Sequence, residues 1–181
     1  MADKEKDKEK VPLPELKPGD ILLFSGKSLF SRLIQVKTFS KFSHVEVYLG
    51  NNLTATSKEG KGVNWYEVET ENLAAVLRPE TLYQIDPSEA IDYHNSCVGQ
   101  SYDYWGILRF FKIGKQTTDK SFCSEHSTRV SRRLKLIDSS GFLIDYFHPF
   151  AERYDADLVS PGMFWASPHY DVIAVGPFKE N

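Results

Sequence analysis

The chain has 181 residues and a formal net charge of −3, from 22 Lys and Arg against 25 Asp and Glu. This length predicts one domain that can bury a sizeable core. The 12 Phe, 9 Tyr and 3 Trp exclude wholesale disorder, and the slightly acidic balance argues against a basic nucleic-acid binder. All apolar runs fall far short of the roughly 20 residues that span a bilayer, so no integral membrane segment is expected.

The first twelve residues are expected to form a charged flexible tail, because their alternating acids and bases offer no apolar surface to bury. Residues 13–181 are expected to form the single domain. The tail is unlike a signal peptide, since no apolar stretch follows its charges. We therefore expect a cytoplasmic location, or the virion or host cytoplasm if a phage encodes the chain. The two cysteines are too few for a disulfide framework, in keeping with reducing conditions.

Short strands and one helix are predicted in the first half of the chain. A buried apolar run predicts a strand at 21–24, and apolar spacings of three and four predict a helix at 28–37 that Ser28 caps. Strict alternation predicts a strand at 43–49. The turn sequence Gly50-Asn51-Asn52 then returns the chain as a hairpin arm at 53–57. Weaker strand patterns cover 63–68 and 74–78.

The second half is predicted to be mainly helical before a last strand. A helix at 87–98 has Asp86 as its expected N-cap, and 102–111 is a short helix or an aromatic-rich continuation of it. The strongest helical pattern covers 121–137. Ser160-Pro161-Gly162 predicts a turn, and 172–175 a closing strand. This order predicts an α+β fold with helices on one side of an antiparallel sheet.

Cys123 and His44 are the candidate catalytic pair. Cys123 starts the long predicted helix, where free backbone N–H groups and the helix dipole favour a thiolate. His44 lies on the polar side of an alternating strand, which would hold an imidazole rigidly as the base. Tyr102 is a candidate donor for an oxyanion, beside the N–H of Cys123.

A third residue should orient the imidazole through a hydrogen bond. Thr54 and Thr56 lie on one face of the hairpin arm across the turn from His44. Glu46 shares the His44 face of its own strand, and Glu59 is a looser candidate in the next turn. Thr54, Thr56, Glu46 and Glu59 stay open as alternatives for this role.

Other interpretations of these residues remain open. A cysteine on an apolar helical stripe is often a small buried hydrophobe, which is how we interpret Cys97. A strand histidine is often purely structural. His126, one turn into the Cys123 helix, is a second candidate base. No cluster has the spacing of a metal site and no phosphate-binding loop occurs, so no cofactor or metal is expected.

Six segments, spread over roughly 16–177 with the histidine before the cysteine, carry a family resemblance. They are 16–24 (LKPGDILLF), 30–34 (FSRLI), 43–50 (SHVEVYLG), 100–106 (QSYDYWG), 122–125 (FCSE) and 160–168 (SPGMFWASP). Together they resemble the YiiX/YebB-like hydrolases of the permuted NlpC-type branch of papain-like cysteine enzymes. Lecithin:retinol acyltransferase-like enzymes are relatives with a similar nucleophile segment.

This resemblance implies a permuted papain-like fold, in which an antiparallel sheet packs on helices and the nucleophile Cys123 begins a helix. The family usually has a small residue where Glu46 stands. Its third polar residue, commonly a glutamate before an alanine, is matched by Thr54 before Ala55. The resemblance therefore implies Thr54 as the third catalytic residue, with Thr56, Glu46 and Tyr102 as orienting or oxyanion groups. A threonine hydroxyl accepts a hydrogen bond but adds no charge, so Glu46 or Glu59 is an alternative for that role.

Three functions are consistent with the sequence. The first is a cysteine hydrolase that cleaves a peptide, isopeptide or N-acyl bond, including peptidoglycan-derived ones, with a small peptide or acyl substrate. The second is a lipid acyltransferase or thioesterase of the same fold, for which an exposed apolar segment is expected. The third is a non-enzymatic interaction protein, with the tail or the aromatic segment 141–150 binding a protein partner. The oligomeric state is not predicted.

Overall fold

A computed structural model describes residues 10–104, 120–145 and 154–179. The N-terminal part alternates short strands with two helices, and its first helix is capped by the Ser28 hydroxyl, which accepts from the Ser31 N–H as predicted. The elements are β1 (Ile21–Phe24), α1 (Leu29–Thr38), β2 (His44–Gly50), β3 (Leu53–Lys58), β4 (Gly62–Glu67), β5 (Leu73–Pro79), β6 (Gln84–Asp86) and α2 (Ser88–Cys97).

The C-terminal part has shorter elements and ends in the predicted last strand. A 3₁₀ turn covers Ala156–Leu158. The elements are β7 (Ser101–Tyr102), β8 (Lys120–Ser121), α3 (Cys123–Ser131), β9 (Lys135–Ile137), β10 (Leu143–Asp145), α4 (Pro161–Ala166) and β11 (Tyr170–Val175).

Within the described ranges, six strands form one antiparallel sheet in the order β11-β5-β1-β2-β3-β4. One face packs against the helices: Val45 and Val47 of β2 lie in a core with Val130 of α3 and Phe164 of α4. The other face is covered by extended segments that contribute Leu13, Leu16 and Phe178. The α+β architecture with helices on one side is confirmed, and it fits a papain-like fold.

Two smaller sheets flank the main sheet in the described part of the chain. One is antiparallel, in the order β10-β9-β6, and the other pairs β7 and β8 in parallel. The second places Tyr102 beside Ser121, two residues before Cys123. This short pairing therefore brings the segment that precedes α3 next to Tyr102.

Three details of the predicted elements are wrong. The helix predicted at 121–137 ends at Ser131, because 135–137 pairs as β9 with β6 and β10. The second helix is capped by Pro87, while the Asp86 carboxylate accepts from the Ser88 N–H. The turn predicted at Ser160-Pro161-Gly162 opens α4, since proline fits the first helical position.

Some predicted segments extend outside the described residues. Of the segment 102–111, the described part contains Tyr102 in β7 and the two residues after it. Val11, within the predicted tail, pairs with Phe178 near the C-terminus. In the aromatic segment 141–150, Phe142, Leu143 and Ile144 are exposed. No helix within the described ranges is both long and apolar enough to cross a bilayer.

We expect Phe39→Gly to raise the free energy of unfolding by about 1 kcal/mol. Phe39 ends α1 in the left-handed region (φ 50°), which glycine adopts without the steric cost that a side chain brings. Its ring is 98% exposed, so little packing is lost. Denaturant unfolding measures the change. Phe39→Ala keeps the strain and serves as the control, and a glycine variant no more stable than the alanine variant would contradict the explanation.

Candidate active site

Cys123 is the first residue of α3 and is buried. The N–H groups of this first turn have no acceptor within the helix, so they can bind a negative charge. Side chains from the sheet fix the helix in place. The Ser127 hydroxyl donates to the Val45 carbonyl (3.1 Å), and the Ser57 hydroxyl donates to the Ser121 carbonyl (2.7 Å). The sulfur therefore sits at a helix N-terminus that is anchored to β2 and β3.

His44 begins β2, and its imidazole links Cys123 to Glu46. Nε2 lies 3.0 Å from Oε1 of Glu46, and the imidazole also interacts with the Cys123 side chain through charge and a hydrogen bond. Burial by itself lowers the pKa of His44, but the charge and hydrogen bond of Cys123, together with those of Glu46, outweigh burial and raise that pKa to about 9. The ring is therefore an imidazolium at neutral pH, as a thiolate–imidazolium pair requires.

The Glu46 carboxylate is fully buried (0% exposed) and has three polar partners. Oε1 contacts Nε2 of His44 and lies 3.1 Å from Nζ of Lys58, while Oε2 accepts from the Thr54 hydroxyl at 2.6 Å. Burial raises the pKa of Glu46, but the bonds and charges of His44 and Lys58, with the Thr54 hydroxyl, lower it overall. A buried carboxylate with such partners stays ionised and can both orient and stabilise the imidazolium.

Tyr102 supplies a hydroxyl on the Cys123 side of the site. It is buried, and burial raises its pKa well above 10, with further contributions from the charge of Cys123, the charge of Glu59 and a hydrogen bond to Cys123. The phenol therefore keeps its proton and remains a donor. This geometry is compatible with the oxyanion role predicted from the sequence.

The two threonines have different partners, and neither bonds the imidazole. The Thr54 hydroxyl donates to Glu46 and also lies 3.2 Å from the Tyr66 carbonyl. The Thr56 hydroxyl donates to the Val45 carbonyl (2.9 Å). The residue that contacts the second imidazole nitrogen is therefore Glu46, and Thr54 acts one step further away by fixing that carboxylate.

A cleft of about 330 Å³ opens beside His44 and Glu46. Phe30 and Ile34 of α1 contribute apolar surface to it, and Tyr102 closes one side. Charged groups surround the remainder, namely Lys58, Glu59, Lys61, Glu69 and Glu71. The cleft therefore combines apolar surface with charged side chains of both signs.

His126 does not serve the site as the alternative base. Its Nε2 lies 2.8 Å from Nδ1 of His94 on α2, and its ring stacks on Tyr93. Burial lowers the pKa of His126 to about 3, with the charges of His94, Arg129 and Arg133 acting in the same direction. Burial lowers the pKa of His94 to about 4, which a hydrogen bond to the Asn64 backbone partly offsets. Both histidines are therefore neutral and join α2 to α3.

A solved structure that is similar to this chain has the same architecture. The crystal structure of metalloprotein yiiX from Escherichia coli O157:H7 superposes with a TM-score of 0.60 at 17% identity, over 88% of this chain and 97% of that one. The chain has a YiiX-like fold.

A curated protein also matches this YiiX-like chain. It is 30% identical over 114 residues to a protein of Escherichia coli (strain K12) named probable lipoprotein peptidase YaeF. The match covers 60% of the chain and 41% of YaeF, so the chain spans less than half the length of this relative. No protein-family model matches. The two similarities together confirm the YiiX/YebB-like resemblance predicted from the sequence motifs.

One member of the site, Lys58, was not predicted from the sequence. Nζ of Lys58 lies 3.1 Å from Oε1 of Glu46 and 3.6 Å from Oε2 of Glu69. The same ammonium lies over the Tyr66 ring, 4.5 Å from its centroid. The period of two in β3 places Lys58 on the same face as Thr54, and this signal could have found it. Cys97, interpreted as a packing residue, is a buried free thiol on α2.

Proposed function

We propose that the chain is a cysteine hydrolase that cleaves amide bonds of small peptide or N-acyl substrates, including those derived from peptidoglycan. One observation carries the proposal: the His44 imidazole bonds both to Cys123 at a helix N-terminus and to the buried Glu46 carboxylate. The nucleophile, the proton carrier and the orienting group are thus connected in sequence through the His44 imidazole. The similarity to YaeF, which is named a probable lipoprotein peptidase, supports the same class of reaction.

Each residue has one role in the proposed reaction. The Cys123 thiolate attacks the carbonyl carbon, and the N–H of Cys123 and the Tyr102 hydroxyl hold the oxyanion. The His44 imidazolium gives its proton to the leaving amine as the C–N bond breaks, leaving an acyl-thioester. His44 then takes a proton from water as the hydroxyl adds to the thioester, and it keeps that proton while the thiolate leaves and the carboxylic acid departs, which restores the ion pair. Glu46 holds the ring throughout, and Thr54 and Lys58 hold Glu46.

No metal takes part in this proposal. The yiiX structure is described as a metalloprotein. We therefore asked whether the side chains of this chain include a group of donors that could hold a metal ion. Among residues 10–104, 120–145 and 154–179, no group of three or more His, Cys, Asp or Glu side chains could hold an ion. The described residues therefore do not fit a metal centre.

A lipid acyltransferase or thioesterase is the second candidate. The same thiolate–imidazolium pair accepts acyl groups from esters or thioesters, with an alcohol or thiol leaving in place of the amine. The observation that favours it is the set of exposed apolar side chains on α1, the helix whose Phe30 and Ile34 line the cleft. Comparing chromogenic amide, ester and thioester substrates of one acyl chain separates the two candidates.

Labelling with a vinyl sulfone near neutral pH tests the proposal. We expect Cys123 to react at least about tenfold faster than free cysteine, because the His44 imidazolium beside it and the helix N-terminus around it activate the sulfur as a nucleophile. Cys123→Ala should abolish the labelling, and His44→Ala should slow it to the rate of an ordinary thiol. Cys97→Ala is the matched control and should change nothing.

Two results would contradict the cysteine-hydrolase proposal. One is labelling of Cys123 no faster than that of free cysteine. The other is a rate that His44→Ala leaves unchanged. Either would favour the non-enzymatic interaction protein, for which the pair has only a structural role.

A further inference from the structure

Helix α1 carries an exposed apolar stripe that the proposed chemistry does not use. Leu29, Leu33 and Val36 are spaced by four and three residues, so they share one face of the helix. Leu29 is 87% exposed and Val36 73%, and Phe39, directly after the helix, is 98% exposed. Exposed apolar surface of this kind on a helix is a mark of an interaction site.

All charged residues of α1 and of the segments directly before and after it are basic. Four cations and no acid occur between 27 and 41, in a chain whose net charge is −3. At 100° per residue, Arg32 and Lys37 fall on opposite sides of the stripe. Lys27 and Lys41 stand before and after the helix and are exposed. An apolar stripe with basic residues on both sides is complementary to a surface that is apolar inside and anionic outside.

Strain at the end of the helix is consistent with an interaction role. Phe39 keeps a bulky ring in the left-handed region and holds it in solvent, where it contributes almost no packing within the chain. Backbone strain of this kind persists where the residue has another use. Because Phe30 and Ile34, on the adjoining face of α1, line the cleft, a surface that covers the stripe would lie beside the cleft.

We propose that α1, through Leu29, Leu33, Val36 and Phe39 with the cations around them, docks the chain on an anionic lipid surface. The apolar side chains enter the boundary between headgroups and acyl chains while Lys27, Arg32, Lys37 and Lys41 contact the lipid phosphates. The cleft then lies beside the lipid surface, because Phe30 and Ile34 of the same helix line it. This docking does not depend on the reaction at Cys123, so it can hold or fail separately from the proposed hydrolase.

Co-sedimentation of the full chain with vesicles tests the docking. Vesicles of phosphatidylcholine are compared with an equimolar mixture of phosphatidylcholine and phosphatidylglycerol. We expect binding to the mixed vesicles, weakened by salt, and little binding to the neutral ones. The double variant Leu29→Ser/Val36→Ser should lower the partition coefficient about tenfold or more, because two exposed apolar side chains no longer insert. Arg32→Gln/Lys41→Gln should weaken binding to anionic vesicles alone.

Control variants keep this test independent of folding and catalysis. Leu82, fully exposed on a different segment, is the matched control, and Leu82→Ser should bind normally. Cys123→Ala should also bind normally. Phe39→Gly should lower vesicle binding while raising the unfolding midpoint, a combination that damage to the fold would not give.

Three outcomes would overturn the docking proposal. The first is no binding to the mixed vesicles at low salt. The second is a double variant that binds as well as the unchanged chain, or a Leu82→Ser variant that is impaired equally. The third is self-association in the absence of lipid that the double variant abolishes, which would make the stripe an interface between two copies of the chain.

Discussion

Glu46→Gln is expected to slow acylation of Cys123 by a factor on the order of 10²–10⁴ and to lower the pKa of His44. The carboxylate holds Nε2 of His44 and adds the negative charge that stabilises the imidazolium. Glutamine keeps the shape but removes that charge, so the proton leaves His44 at a lower pH. Stopped-flow acylation with a chromogenic acyl electrophile measures the rate, and NMR titration of the imidazole measures the pKa.

The two threonines of β3 provide matched controls for this result. Thr54→Val should slow acylation only about tenfold, because it removes one hydrogen bond to Glu46 but leaves the charge. Thr56→Val should change neither the rate nor the pKa of His44, since its hydroxyl bonds the Val45 carbonyl. If Thr54→Val proves as damaging as Glu46→Gln, or if Glu46→Gln leaves the rate and the pKa of His44 unchanged, the assignment of Glu46 as the orienting group is wrong.

Acid is expected to destabilise the fold through the pair of His94 and His126, before the carboxylates titrate. Both side chains are fully buried and neutral, and each folded-state pKa is far below the ordinary 6.5. Such groups stabilise the fold above pH 6.5, and this contribution is lost as the pH falls toward about 4 for His94 and about 3 for His126. Protonation breaks the bond between the rings beside Arg129 and Arg133.

The expected loss between pH 6.5 and 4.5 is on the order of 3 to 5 kcal/mol, a large share of the stability of an ordinary domain. His44 has the opposite sign and a different window: its pKa is raised, so its contribution is complete below pH 6.5 and is lost as the pH rises through about 9. Urea unfolding at half-unit pH steps separates the two windows.

A non-titrating pair is the control for the acid effect. His94→Asn/His126→Gln keeps polar nitrogens near Nδ1 and Nε2 but cannot take up a proton in this range. This double variant should lose little stability between pH 6.5 and 4.5, whatever its stability at pH 7. His169→Gln, at an exposed position, should behave like the unchanged chain. If the wild-type chain loses no more stability between pH 6.5 and 4.5 than the double variant does, the histidine pair is not the cause of the acid sensitivity.

Local pattern alone predicted much of the main sheet and the positions of the two reactive groups. The period of two between 43 and 49 places His44 and Glu46 on one face of β2, and the structure has both side chains there, in contact. The helical pattern after Phe122 places Cys123 at a helix N-terminus, where it lies. These features depend on residues close together in the chain, which is why the sequence could show them.

Long-range pairing decided the rest. The helical pattern that continues to 137 is overridden because 135–137 gains strand partners in β6 and β10, far away along the chain. The partner of His44 was open among four residues, namely Thr54, Thr56, Glu46 and Glu59. The choice depended on distances of a few ångströms across β2 and β3, and the spacing of residues along the sequence cannot give such distances. The bond from His126 to His94 likewise required the packing of α2 on α3.

The sequence by itself determined the slightly acidic net charge, the alternation that puts His44 and Glu46 on one strand face, and the position of Cys123 at the start of a helix. Each of these features follows from composition or from residues that are neighbours along the chain. Only the tertiary structure decided that Glu46 rather than Thr54 bonds His44, that Lys58 joins them, and that the apolar stripe of α1 stays exposed. Contacts between distant segments set burial and hydrogen-bond partners, and these contacts exist only once the sheet and helices have packed.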